Sequence, residues 1–173
     1  MKSIHWLALA GTLAVAQAHA ADTQVPMHLV DSEGTGKVIG QVTISETAHG
    51  LLFEPDLQKL DSGFHGFHVH ENGSCEPAMK DGSMTAAAAA GGHFDPADAG
   101  EHLGPYEDGH LGDLPVLHVD DAGKAEVPVL APRIKRIEEI AGHALMIHAQ
   151  GDNYSDEPKP LGGGGARVAC GVI

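Results

Sequence analysis

An all-β fold, an antiparallel sandwich or barrel of about eight short strands, is what this sequence predicts. Three observations carry it: helical periodicity is scarce, short alternating segments recur, and turn residues separate them. Val25–Val30 and Lys37–Ser45 read as strands, the second alternating through Val38, Gly40, Val42 and Ile44. Gly50–Phe53 resumes the pattern after a turn, and Phe64–His70 follows. Leu114–Val119 and Ala125–Leu130 flank Asp120-Asp121-Ala122-Gly123, a hairpin signal. His143–Ala149 and Ala166–Ile173 complete the set. Arg133–Ala141 spaces Ile134, Ile137 and Ile140 three apart, which predicts a short helix, and the Ala86–Ala90 run reads as one helical turn or as loop. Residues 71–113 and 151–165 lack alternation; loops of that length in a compact domain are functional or disordered.

The chain of 173 residues suggests one domain, spanning 21–173, after a leader at 1–20. Lys2, the apolar stretch Trp6–Ala16 and Ala18-His19-Ala20 have the form of a cleaved secretory signal, and the stretch is shorter than the roughly 20 residues a membrane span needs. The mature chain is therefore expected to start near Ala21, exported and without a membrane anchor. The formal charge is −14, and loss of Lys2 takes it to about −15. So acidic a chain argues against nucleic acid and anionic membrane surfaces as partners. Its two cysteines, Cys75 and Cys170, read as one disulfide in an exported protein; a metal-binding pair would be expected in C-x-x-C spacing.

Chemistry concentrates in the histidines. His68 and His70 lie at i and i+2 of a predicted strand, so both imidazoles share a face and can reach one ion. His93, His102, His110 and Asp113 fall in the first long loop; three imidazoles and one carboxylate saturate a tetrahedral zinc, which makes that site structural. His148 ends an apolar strand, and Asp152 follows four residues later, where a carboxylate can orient metal-bound imidazoles. Arg167 offers a permanent charge to a small anion, with Lys159 as a second candidate. His65 is expected to make structural hydrogen bonds, and His28, His49, His118 and His143 to be surface or satisfied residues.

Gly66-Phe67-His68-Val69-His70, Gly91-Gly92-His93-Phe94-Asp95-Pro96, Gly109-His110-Leu111-Gly112-Asp113 and Gly165-Ala166-Arg167-Val168-Ala169-Cys170-Gly171-Val172-Ile173 occur in order. Together they resemble the copper,zinc superoxide dismutase family, and the glycine run with Asp152-Asn153-Tyr154-Ser155-Asp156 is similar to its bacterial periplasmic branch. The resemblance implies an eight-stranded Greek-key barrel, an immunoglobulin-like sandwich, under two long functional loops. It implies one copper on His68, His70, His93 and His148, and one zinc on His93, His102, His110 and Asp113. His93 then bridges the metals, Asp152 links a copper ligand to a zinc ligand, Arg167 stands at the copper mouth, and Cys75 pairs with Cys170. The implied reaction turns two superoxide anions and two protons into dioxygen and hydrogen peroxide, with copper alternately reduced and reoxidised and His93 supplying a proton. The resemblance leaves monomer and homodimer both open, with the homodimer favoured. The rival reading is a non-enzymatic copper- and zinc-binding protein on the same fold. Zinc hydrolysis needs a free coordination position, which the His3Asp set does not leave.

Overall fold

The computed structural model describes residues 22–173; the expected leader at 1–20 lies outside the described residues. Strands β1 (Thr23–Asp31), β2 (Gly34–Thr47) and β3 (Gly50–Leu57) run as an antiparallel meander. Their turns are closed by side chains: Asp31 Oδ1 accepts the N–H of Glu33 at 2.7 Å, and Thr47 Oγ1 donates to the Gly50 carbonyl at 2.7 Å.

The expected strand 64–70 is divided at Gly66 into β4 (Gly63–His65) and β5 (Phe67–His70). Gly66 instead bonds outward, donating to the Gln150 carbonyl at 2.7 Å and accepting from His148 N–H at 2.8 Å. After β6 (Ala78–Lys80) and β7 (Ser83–Thr85) come β8 (Leu117–Val119), β9 (Val129–Ala131), β10 (Ala144–His148) and β11 (Arg167–Val172). One sheet runs β5-β10-β11-β1-β2-β3-β9, and β4 pairs with β8 beyond its β5 edge. All pairings are antiparallel. The chain leaves β3 near one edge and returns as β4 and β5 at the other, the crossing of a Greek key. With β4 and β5 counted as one kinked strand, beside β1, β2, β3, β8, β9, β10 and β11, the barrel has the eight strands that the sequence predicts.

Three local readings change. The turn at Asp120–Gly123 forms, with Gly123 N–H on the Asp120 carbonyl at 3.0 Å, yet no hairpin follows. β8 pairs with β4, and the chain beyond the turn pairs with Leu57 and then β3. The expected helix at 133–141 is a single 3-10 turn, Ile137–Glu139. Its three-residue spacing does bury Ile134, Ile137 and Ile140, and the Glu139 carboxylate caps Lys135 and Arg136 N–H at 2.8 and 2.7 Å before a longer helix can start. In β2, Ile39 is an extra residue between the pairs Met27↔Gly40 and His28↔Val38, so Ile39 turns inward and Val38 is 53 % exposed. The 71–113 loop also contains the β6–β7 hairpin, which alternation did not reveal, and the alanine run makes a 3-10 turn at Ala88–Ala90.

The barrel interior is apolar and centred on Phe53 and Phe67, whose rings meet edge to face at 5.7 Å. β10 is buried on both faces. Leu145 and Ile147 join the interior, while Ala144 and Met146 meet Ala87, Ala90 and Cys170 in a second, outer apolar layer beneath the 71–113 loop. Cys75 and Cys170 are bonded, 95 residues apart in sequence, and fasten that loop to β11. Closing so long a loop removes entropy from the unfolded chain. The Cys75→Ala/Cys170→Ala variant should therefore lose about 4 kcal/mol in urea unfolding of the metal-free protein, against an upper figure near 5; an unchanged unfolding midpoint would contradict this.

Candidate metal centre

β5 has two buried faces. Phe67 and Val69 enter the barrel, while His68 and His70, on the alternate face, lie under the loops. β10 fixes one edge of β5. The other edge is occupied by loop backbone: Val69 N–H donates to Gly112 O at 2.8 Å, Phe94 N–H to Val69 O at 2.9 Å, and Glu71 N–H to Gly92 O at 3.0 Å. These bonds set His93 beside His70 and Asp113 beside His68. Only glycine fits at 112, because a Cβ there would stand 2.2 Å from the Val69 carbonyl oxygen. His148 enters from the end of β10.

All six imidazoles and Asp113 are buried except for 8 % or less of their surface, although they come from five separate stretches of chain. Each ring of the first group, His68, His70, His93 and His148, uses one nitrogen on the protein and directs the other inward. His68 Nε2 donates to Asp152 Oδ2 at 2.6 Å, His70 Nδ1 to Gly91 O at 3.0 Å, and His148 Nδ1 to Gly165 O at 3.2 Å. His70 Nε2 and His148 Nε2 then face each other at 3.3 Å, and His68 Nδ1 and His93 Nε2 have no partner. Nitrogen donors of His68, His70, His93 and His148 converge within 4.8 Å. Four lone pairs aimed at one another repel unless a cation sits among them, so this donor set fits a metal.

The second group surrounds Asp113. Its Oδ1 lies 2.8 Å from His93 Nδ1, and its Oδ2 lies 2.9 Å from His102 Nδ1 and 3.6 Å from His110 Nδ1. Donor spacing alone groups His68, not His110, with these residues. Hydrogen bonding points to His110 instead. The His68 Nε2 is taken by Asp152 and its Nδ1 belongs to the first group, whereas His110 Nδ1 is buried and unpartnered. Three imidazole nitrogens around one carboxylate fit tetrahedral zinc. His93 reaches both groups, one nitrogen in each. Asp152 also spans them, with Oδ1 2.8 Å from His102 Nε2.

Charge follows the same division. Burial, and then the neighbouring imidazoles, hold His68 and His70 well below the usual histidine range. Burial lowers His93 despite Asp113, and takes His148 down to about 4. These rings are neutral at pH 7, the form that coordinates metals. Burial acts on His102 in the same sense, but the Asp113 and Asp152 carboxylates outweigh it and raise the ring to about 9. Burial would raise Asp113; its bonds to His102 and His93 instead hold it far below the carboxylate range.

Beside the first group opens a cavity of about 240 Å³, lined by His70, His93, His148, Arg167 and Lys80. The Arg167 guanidinium is held in place by the carbonyls of Ala87 (2.6 Å) and Gly91. The second cation at this cavity is thus Lys80, from the hairpin absent from the sequence reading, and not Lys159. Two further residues, present in the sequence only as members of the Asp152–Asp156 motif, acquire roles here. Asp156 Oδ2 accepts the His102 N–H at 2.8 Å, and the Tyr154 hydroxyl accepts Val116 N–H at 3.0 Å. His65 binds no donor group of the centre. Its two nitrogens bond the carbonyls of His148 (2.7 Å) and Asp61 (2.8 Å), the structural role expected of it.

Comparison with known proteins bears on the same residues. The family model described as copper/zinc superoxide dismutase matches residues 38–173. "Superoxide dismutase [Cu-Zn] 2" of Salmonella typhimurium is 58 % identical over 167 residues, 96 % of each chain. The Cu/Zn superoxide dismutase of Brucella abortus superposes with a TM-score of 0.87 at 54 % identity, over 88 % of this chain and 99 % of the other. The monomeric copper, zinc superoxide dismutase of Salmonella enterica, solved in solution, gives 0.80 at 59 % identity over the same shares.

Asp152, outside both donor sets, bonds a ring of each group. Asp152→Ala should weaken binding of both copper and zinc about 10- to 100-fold, as measured by chelator competition. Loss at one metal alone would contradict its spanning role.

Proposed function

The chain belongs to the copper/zinc superoxide dismutase family, and from that premise we propose how its own residues carry out the dismutation of superoxide to dioxygen and hydrogen peroxide. The observation that carries the reading is the set of inward-facing nitrogens beside a cationic cavity. Copper is assigned to His68 Nδ1, His70 Nε2, His93 Nε2 and His148 Nε2. Zinc is assigned to His93, His102, His110 and Asp113. Copper supplies one-electron exchange with superoxide when bound, while zinc supplies none.

The chain's residues do the rest. A formal charge of −14 opposes the approach of an anion. Arg167 and Lys80 place positive charge at the cavity, where low-dielectric walls focus it. Arg167 is partly buried, and its two backbone bonds spend its flexibility before substrate arrives. His93 would hold a proton at Nε2 when that nitrogen is not engaged by copper, because its Nδ1 stays on the Asp113 side and its Nε2 has no protein partner to compete. Asp113 and Asp152 keep the rings oriented throughout, because both oxygens of each are engaged by imidazoles.

The same reading places the mature chain, from about Ala21, in the periplasm. The signal-like residues 1–20 and the Cys75–Cys170 bond support export to an oxidising compartment. Every assigned ligand comes from one chain, so the homodimer expected from the sequence is not needed to complete the centre, and the Salmonella enterica relative is described as monomeric.

Purified protein loaded with copper and zinc should consume superoxide, and protein loaded with zinc alone should not; activity with zinc alone would refute the assignment. Arg167→Ala should retain both metals, lose about tenfold in turnover at low ionic strength, and show a flatter salt dependence. Wild-type turnover and salt dependence in that variant would refute the guiding role.

A further inference from the structure

We propose that Arg133 is a positioning residue for the zinc side of the centre, clamping the turn that carries His110 and Asp113 onto the barrel. Its guanidinium Nη1 donates to the His110 carbonyl at 3.0 Å and Nη2 to the Gly109 carbonyl at 2.8 Å. Two nitrogens of one planar fork thus hold two consecutive peptides, which fixes the orientation of the His110 backbone as well as its position. Among the described residues Arg133 forms no ion pair with a carboxylate, so the fork is given over to these carbonyls.

The base of the clamp is rigid. Ala131 pairs with Leu51 at the end of β9, Leu51 N–H donates to the Ile134 carbonyl at 2.9 Å, and Ile134 is 1 % exposed. Pro132 restricts the backbone immediately before Arg133. The side chain therefore reaches from the barrel wall to the zinc loop.

The clamped end is the one that needs support. His110 is the loosest of the three rings about Asp113, at 3.6 Å against 2.8 and 2.9 Å, and the most exposed, at 8 %. The other two rings have bonds of their own. His93 lies beside β5, and His102 is held by Asp152 and Asp156. His110 depends on its backbone, held by Glu101 O at 3.0 Å on one side and Arg133 on the other.

This inference rests on His110 being a zinc ligand. The test measures Zn(II) affinity by chelator competition, the visible spectrum of Co(II) placed at the zinc site, Cu affinity, and the melting temperature of metal-free protein. Wild type is compared with Arg133→Ala, Arg133→Lys and His110→Ala. Arg133→Ala should bind zinc about 10- to 100-fold more weakly and alter the Co(II) spectrum, with Cu affinity and the metal-free melting temperature unchanged. Arg133→Lys, which keeps the charge but loses the fork, should fall between. Arg133→Lys also serves as the test if the alanine variant fails to fold. Wild-type zinc affinity and Co(II) spectrum in both arginine variants, with zinc weakened in His110→Ala, would overturn the clamp and leave the zinc assignment standing. Wild-type zinc affinity in His110→Ala would overturn the assignment and the inference with it. Equal losses for zinc and copper with a lower metal-free melting temperature would make Arg133 an ordinary structural residue and also overturn the proposal.

Discussion

Buried lone pairs that face one another are the constraint on which the loops of this protein depend. His68 Nδ1, His93 Nε2 and His110 Nδ1 have no partner on the protein within hydrogen-bond distance. Each such atom costs about 1–3 kcal/mol when buried unsatisfied. Three of them together amount to a large part of the net stability of a domain, about 5–15 kcal/mol. Metal binding at this centre is therefore inseparable from ordering the residues around it. The barrel interior, closed by apolar contacts about Phe53 and Phe67, carries no comparable debt. The molecule thus has two tiers, a self-sufficient barrel and a layer of loops held down by a disulfide, by backbone bonds to β5, and by the ions their donors converge on.

β5 joins the tiers. In four residues it gives Phe67 and Val69 to the core and His68 and His70 to the centre. A slip of one residue would exchange the two sets, burying imidazoles in the barrel and exposing Phe67. The apolar core thereby fixes the register of the metal ligands. A strand held on both edges is a more rigid support than the loops themselves.

Much of this was legible in the sequence because it depends on local spacing. Alternation located the barrel strands, and the i, i+2 histidines lie on one face because a strand requires it. The His110–Asp113 turn was legible through Gly112, where only glycine permits the approach to Val69. What escaped depends on tertiary closure. The β6–β7 hairpin brings Lys80 to the cavity, a placement no spacing around residue 80 reveals, whereas Lys159 was favoured only for lying in a long loop. Arg133 looked like the start of a helix because the isoleucines after it repeat every three residues, a period a single 3-10 turn satisfies equally well. The turn at Asp120–Gly123 was read correctly as a turn and wrongly as a hairpin, since its strands find other partners across the barrel.

The carbonyl oxygen of Gly91 accepts both His70 Nδ1 and the Arg167 guanidinium. One peptide group thus orients a metal-facing ring and anchors the cation of the entrance, two residues before His93. Its φ of 76° strains any side chain at this position, and a Cβ there would also displace the Glu71 carboxylate that accepts Gly92 N–H. Any displacement of this segment would disturb ligand geometry and substrate capture at once. The exposed β6–β7 hairpin shares no such atom, so the charge that Lys80 brings to the entrance is mechanically separate from the copper-side ligands.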